Sequence, residues 1–319
     1  MRREGSPWQG LGAVTMKELA DHLSSARMRV LEWLVVLTAF AALYVAIDTI
    51  RQTTAEDPFV LLKLFTVSRN PLPSLVSLLV FLLPLMAIGL GFDAVNGEHS
   101  RRTLSRILSQ PIYRDALLAG KFLAGLGTIG ISLICLWLLV VGFGVYLLGV
   151  PPSGEEIARS LVFLLFALAY AGVWLALALL LSIVFRSAAT AALVALGVWL
   201  FLSVLWPLLA PAIAQLIAPP DLRYELLGFS TPETLQWTTA LQRLSPNQLF
   251  TEVVLATLSP TTRSVGPVFL EQLQGAVNGP LPLRESLAIA WPQGVALVAG
   301  TIVLFTAGYV VFQRQEVRA

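Results

Sequence analysis

Charge is what this chain has least of. Only 13% of its 319 residues are Asp, Glu, Lys or Arg, against 56% hydrophobic, and mean hydropathy is +0.78. That scarcity excludes an ordinary soluble domain of this length and marks an integral membrane protein. The single cysteine, Cys135, stands inside an apolar run, so neither a disulfide framework nor Cys/His zinc spacing can be built. A net charge of +2, with the basic residues dispersed, sets nucleic acid aside as a partner. There is no HExxH, and both histidines, His22 and His99, lie outside the long apolar runs. The phosphate-cradling G-x-x-x-x-G-K-[ST] loop is also missing, since GKFLAGLGTIG from Gly120 has the wrong order and opens an apolar run. The chain is therefore read as a non-enzyme.

What is present is a series of runs long enough to span a bilayer, which takes roughly 20 mainly apolar residues. Asn70–Phe92, Phe122–Gly154, Ser160–Phe185, Ser187–Pro220 and Ser286–Gln313 hold no Asp, Glu, Lys, Arg or His, and Val30–Ile47 holds only Glu32, within reach of Arg29. The fold class expected is an all-α polytopic membrane protein. It has six transmembrane helices, an N-terminal interfacial amphipathic helix and a small extracytoplasmic helical region.

The parts are 1–29, a cytoplasmic tail and interfacial helix; 30–209, five spans with a coupling segment at 93–117; 210–284, an outer loop with short helices; and 285–319, the sixth span and a tail. Inner segments so assigned carry thirteen Lys/Arg (five, five, one and two) against eight outside, four of those in a loop too long to count, which places both termini in the cytoplasm of a cell-membrane protein.

In the first part, Thr15-Met-Lys-Glu18 has the form of a capping box, with Met16, Leu19, Ala20 and Leu23 on one face and Lys17, Asp21, His22 and Ser24 opposite. Ser230-Thr-Pro-Glu233 and Ser245-Pro246 predict two helices in the outer loop, through Leu244 and about Leu258. Pro292 is expected to bend or unwind the last span. After Glu32 no ionisable residue falls in the core of an expected span, which argues against ion-coupled transport and intramembrane proteolysis. Small residues such as Gly125, Gly127, Gly130, Ala167 and Ala171 suit close helix packing in lipid.

The polar chemistry is concentrated in one island, Phe92–Lys121, with Arg101, Arg102, Arg106, Arg114 and Lys121, three acids and His99. From Glu98 to Ser109 a helical reading puts Leu104, Ile107 and Leu108 on one side and Arg102 and Arg106 on another. Pro111 forces a turn, Asp115 suits the first turn of the next span, and Lys121 is expected to anchor near the headgroups. The plainer reading is a basic loop that only sets topology.

The residue order decides between them. Phe92, Asp93, Gly97, Glu98, Thr103, Leu104, Leu108, Pro111, Arg114, Gly120 and Lys121 match a pattern that follows the second span in the ABC-2 type permeases. The chain resembles that family, especially the branch of the nitrous-oxide-reductase maturation transporter; Lys17-Glu-Leu and Phe185-Arg-Ser187 extend the likeness. Arg102 and Tyr113 depart from it, where glycine and a Ser/Thr N-cap are usual.

The resemblance implies a homodimeric permease subunit, an exporter, bound to two copies of a separate ABC ATPase subunit. ATP would sit on that partner, and this chain would bind no cofactor or metal. The coupling residues implied are Glu98, Arg101, Arg102, Leu104, Arg106, Ile107, Leu108, Pro111, Arg114 and Arg186. A second expectation is an ATP-driven scaffold whose outer loop works mechanically on an extracytoplasmic protein, without substrate passage.

Overall fold

The computed structural model describes residues 8, 10–52, 59–69, 72–100, 113–219, 230–264 and 279–314. In chain order the helices are α1 (Leu11–Ser24), α2 (Ala26–Gln52), α3 (Val60–Thr66), α4 (Leu75–Gly91), α5 (Asn96–Ser100), α6 (Arg114–Leu148), α7 (Gly154–Val184) and α8 (Ala188–Leu200). A π-helical turn at Phe201–Leu205 leads into α9 (Trp206–Ile217), followed by α10 (Pro232–Gln242), α11 (Pro246–Leu258) and α12 (Leu283–Arg314). There is no strand among the described residues beyond one isolated bridge, Arg69 to Leu72. Six helical stretches are long and apolar enough to cross a membrane: α2, α4 with its elbow, α6, α7, α8 through α9, and α12.

The hub is α7, which packs against α4, α6, α11 and α12. Phe163, Ala167, Tyr170, Ala171, Trp174 and Ala178 along it are fully buried. In lipid there is no hydrophobic gain from pressing helices together, so close van der Waals packing must hold them, and that needs small residues at the contacts. Three neighbours supply glycine. A Cβ on Gly91 of α4 would lie 2.7 Å from Ala178, one on Gly125 of α6 would lie 2.8 Å from Leu175, and one on Gly294 of α12 would strike the Phe166 ring.

Proline acts where its geometry bites. Pro207 cannot donate to the carbonyl four residues back, and the preceding turn widens to π-helix before the fifth span resumes. Pro292, expected to bend or unwind the last span, lies inside a helix that continues without a break from Leu283 to Arg314.

The long segment after the fifth span forms both expected helices, the first capped by Thr231 in place of Ser230 and ending at Gln242, short of Leu244. Thr231 accepts from the Thr234 amide to start α10, and Ser245 accepts from the Asn247 amide to start α11. The sequence does not reveal where they go. The boundary expected at residue 210 falls inside α9, which runs to Ile217, and α10 returns along it, with Trp206 Nε1 donating to Leu241 O (2.7 Å). The tip is pinned inside the bundle by Ser245 Oγ donating to Leu202 O (2.9 Å).

Phe250 is fully buried, stacked on Tyr170 at 4.5 Å and 3° and on Phe163 at 6.1 Å. Tyr170 is fourteen residues from the Val184 end of α7, about 21 Å along the axis, so the tip lies well within a hydrocarbon layer of roughly 30 Å. The hairpin thereby brings a carboxylate among the spans. Glu252, 3% exposed, accepts from Arg243 Nε (2.9 Å), Gln248 Nε2 (3.1 Å) and Gln293 Nε2 (2.8 Å). The expected spans themselves carry no ionisable residue in their cores after Glu32; this carboxylate reaches the bundle on the hairpin that follows the fifth span.

Candidate functional site: the elbow between the second and third spans

The elbow begins where α4 stops. The Phe92 amide still donates to Ile88 O, the Ala94 amide closes a turn onto Gly91 O (3.2 Å), and α5 starts at Asn96. Two amides at this turn, those of Val95 and Asn96, have no helical acceptor and both donate to Ser182 Oγ (3.0 and 3.2 Å). Asn96 Nδ2 donates to Phe92 O (3.2 Å) and Phe185 O (3.3 Å), tying the turn to the link between α7 and α8. Asp93 receives a two-pronged contact from Arg27 at the start of α2 (3.0 and 2.9 Å), while the guanidinium sits over the Phe92 ring at 4.9 Å. The motif residues Phe92 and Asp93 thus share a partner far off in sequence.

The centre of the site is ionic and buried. Lys121 Nζ, on a side chain only 3% exposed, donates to Glu98 (2.7 Å) and to Glu18 of α1 (3.1 Å). The expected headgroup anchor is corrected: about two turns into α6 with α1 packed across it, Lys121 has no open path to the surface. Gly120 admits that crossing, because a Cβ there would lie 2.7 Å from Val14. The capping box expected at Thr15–Glu18 is not formed either. Helix α1 already begins at Leu11, Thr15 Oγ1 donates to Leu11 O (2.9 Å), and Glu18 is drawn to Lys121. Val14 and Glu18 face the bundle, whereas Met16 and Leu23, expected on the apolar face, are exposed on the other side. Glu32 does not pair with Arg29 but accepts from Ser132 Oγ (3.4 Å).

Around this centre α1 and the end of α12 converge. Lys17 Nζ bridges Glu18 and Asp21 (3.0 Å each), and Gln313 at the end of α12 donates to Asp115 in the first turn of α6. Tyr113 occupies the N-cap of α6 and makes no side-chain cap bond, as its departure from the family pattern implies.

Burial alone would raise the Glu18 carboxyl, but the charges and hydrogen bonds of Lys121 and Lys17 outweigh it and hold the group below its usual value. Burial pushes His22 down. Both folded values lie below the unfolded ones, so both groups stabilise at neutral pH and lose that contribution as pH falls. The docking of α1 should weaken first as pH drops below about 6.5, through His22, and again below about 4.5, through Glu18. Hydrogen exchange of α1 amides across pH 7 to 4 reads this directly, and His22→Gln should remove only the upper step.

Of the coupling residues expected, Glu98, Arg114 and Arg186 are described. Glu98 points inward to Lys121, Arg114 is half-buried at the start of α6, and Arg186 is exposed in the bend between α7 and α8. Arg101, Arg102, Leu104, Arg106, Ile107, Leu108 and Pro111 lie outside the described residues. Sequence reasoning missed Glu18, Arg27, Asn96 and Ser182. The signal was present: Asp93, Glu98 and Lys121 are charged residues beside apolar runs, and each calls for a partner.

Six apolar helices tied at one end by a buried ionic elbow define a polytopic α-helical membrane protein. The model of the ABC-2 family transporter protein matches residues 13–317, and the chain belongs to that family. It is similar to two proteins called "Probable ABC transporter permease protein NosY". The one from Pseudomonas aeruginosa is 29% identical over 315 residues, covering 95% of this chain and 98% of that protein. The one from Stutzerimonas stutzeri is 27% identical over 309 residues, covering 95% and 97%. The chain is accordingly a transmembrane permease subunit of an ABC transporter, and the partner that membership implies is an ABC ATPase.

Proposed function

We propose that this subunit, in the cell membrane with both termini cytoplasmic, dimerises and exports a substrate by coupling to two copies of a separate ATPase subunit, which holds the ATP. The segment from Glu98 through Arg101, Arg102, Leu104, Arg106, Ile107, Leu108 and Pro111 to Arg114 is the surface on which the ATPase bears, with Arg186 completing the contact. The observation that carries this reading is the ionic tie of Glu98 to Lys121 and Glu18. A push on the elbow reaches α6 and α1 through that tie, and α2 and α7 through Arg27 and Ser182. Rigid-body transmission of this kind needs stiff joints, and buried ionic and hydrogen-bonded contacts supply them.

Reversing Arg102, Arg106 and Arg114 to Glu should cut recovery of the ATPase with the purified permease by at least about tenfold, one charge-assisted contact's worth, while membrane insertion is unchanged. Undiminished recovery and undiminished ATP turnover in the assembled complex would sink the proposal.

A second reading, mechanical work on a protein at the far end of the bundle, has one observation in its favour. The fifth span is 30 residues long, about 45 Å, and exceeds the hydrocarbon thickness, with Leu216 and Ile217 exposed at its tip. The readings part in proteoliposomes: export proceeds without any further protein under the first, and ATP turnover without passage holds under the second.

A further inference from the structure

A groove between α2 and α6, remote from the elbow, has the shape and charge order of a lipid. Phe40, Leu43, Tyr44 and Ile47 line it at helical spacing on α2, and Phe143 and Leu147 line it on α6, enclosing about 350 Å³. Its floor is buried, with Leu43 and Ile47 at 2% and 5% exposure, while Phe40 and Phe143 meet edge to face at 5.2 Å and close its inner end. Immediately beyond Ile47 the lining becomes charged, with Asp48 and, about one turn on, Arg51. Arg51 spends one donor on Leu147 O (2.6 Å), and Arg69 and Gln52 already satisfy Asp48 (2.6 and 2.9 Å). Among the described residues the mouth therefore carries one net positive charge, with the remaining donors of Arg51 exposed.

From Phe40 to Arg51 is eleven residues, about 16 Å along the helix, or half of a hydrocarbon core of roughly 30 Å. An apolar slot one leaflet deep under a guanidinium suits an acyl chain beneath a phosphate, which Arg can grip with two parallel hydrogen bonds. We propose that this groove is a binding site for a single glycerophospholipid, its chain along Tyr44 and Phe143 and its phosphate on Arg51. The aromatic ring of Tyr44, 76% exposed and about 10 Å below Arg51 along the helix, offers the chain an apolar flank.

Native mass spectrometry of the full chain, purified from vesicles of phosphatidylethanolamine and phosphatidylglycerol, tests this. One phospholipid per chain should survive detergent exchange. Arg51→Gln should cut its retention about tenfold, the size of one charge-assisted hydrogen bond, and Arg51→Lys should restore part of it. Phe143→Trp, which fills the slot, should cut retention to a like extent.

Retention by Arg51→Gln equal to wild type would overturn the phosphate assignment, and unchanged retention in Phe143→Trp would overturn the slot. Wild-type protein offered diacylglycerol, which has the chains and no phosphate, should retain none. Retention of it equal to that of the phospholipid overturns the proposal whatever the variants do.

Discussion

Lys121→Met should be the most damaging single change at the elbow, lowering stability by about 3 to 5 kcal/mol, because it removes the ammonium that Glu18 and Glu98 share in a buried site and leaves two carboxylates facing each other across it. The side chains of these acids are only 11% and 15% exposed, so water cannot screen them well. The effect is read from thermal unfolding of the purified subunit in detergent. Neutralising the acids as well, in a triple variant with Glu18→Gln and Glu98→Gln, should recover most of the loss, since a buried ion set replaced whole costs far less than one broken. The recovered protein should still transmit ATP turnover poorly, because amide contacts are softer than ionic ones. A Lys121→Met variant that melts with wild type would mean that α1 does not hold the elbow through this pair.

The second large effect is expected at the opposite end of the bundle. Arg159 of α7 is fully buried and donates to Glu155 (2.9 and 2.8 Å), Thr257 O (3.1 Å), Ser286 Oγ (3.1 Å) and Leu281 O. One guanidinium thus joins the end of α11, the chain entering α12, and the start of α7. Arg159→Leu fills the space but strands the buried Thr257 carbonyl and Ser286 hydroxyl and frees the Leu281 carbonyl, for a loss of about 3 kcal/mol or more. Arg159→Lys should recover only part, since three donors on a point charge cannot reproduce the fork. Limited proteolysis should show α11 released from the bundle before the spans unfold, and a hairpin as resistant as wild type would contradict the role given to Arg159.

These two sites mark the limits of what could be read in advance. Spans are legible because each is a local statement: a run such as Phe122–Gly154 has no charge to place in lipid and must cross it. Caps are legible for the same reason, as Ser245-Pro246 shows, and the capping box that the structure reveals between Ser153 and Glu156 at the head of α7 is the same kind of local device. Thr15–Glu18 had the same local form and failed, because a buried ammonium 103 residues away drew Glu18 more strongly than a backbone amide could. The hairpin of α10 and α11 misled in a similar way. Its helices and their starts follow from sequence, but its depth depends on an aromatic slot between Phe163 and Tyr170 that exists only once α7 is in place.

The elbow residues were likewise legible as a motif without a geometry. Residue order marked Asp93, Glu98 and Lys121 as significant; nothing local indicated that their partners would be Arg27 and Glu18.

By itself the sequence determined the class, the six spans, the caps of the hairpin helices, and the one place where charge gathers, since hydropathy and capping act over a few turns of chain. The tertiary structure decided which charges meet. Ion pairs in a low-dielectric interior are set by distance in space, and the packing of α1 on α6 and of the hairpin on α7 turned scattered acids and bases into a tied elbow and a pinned tip.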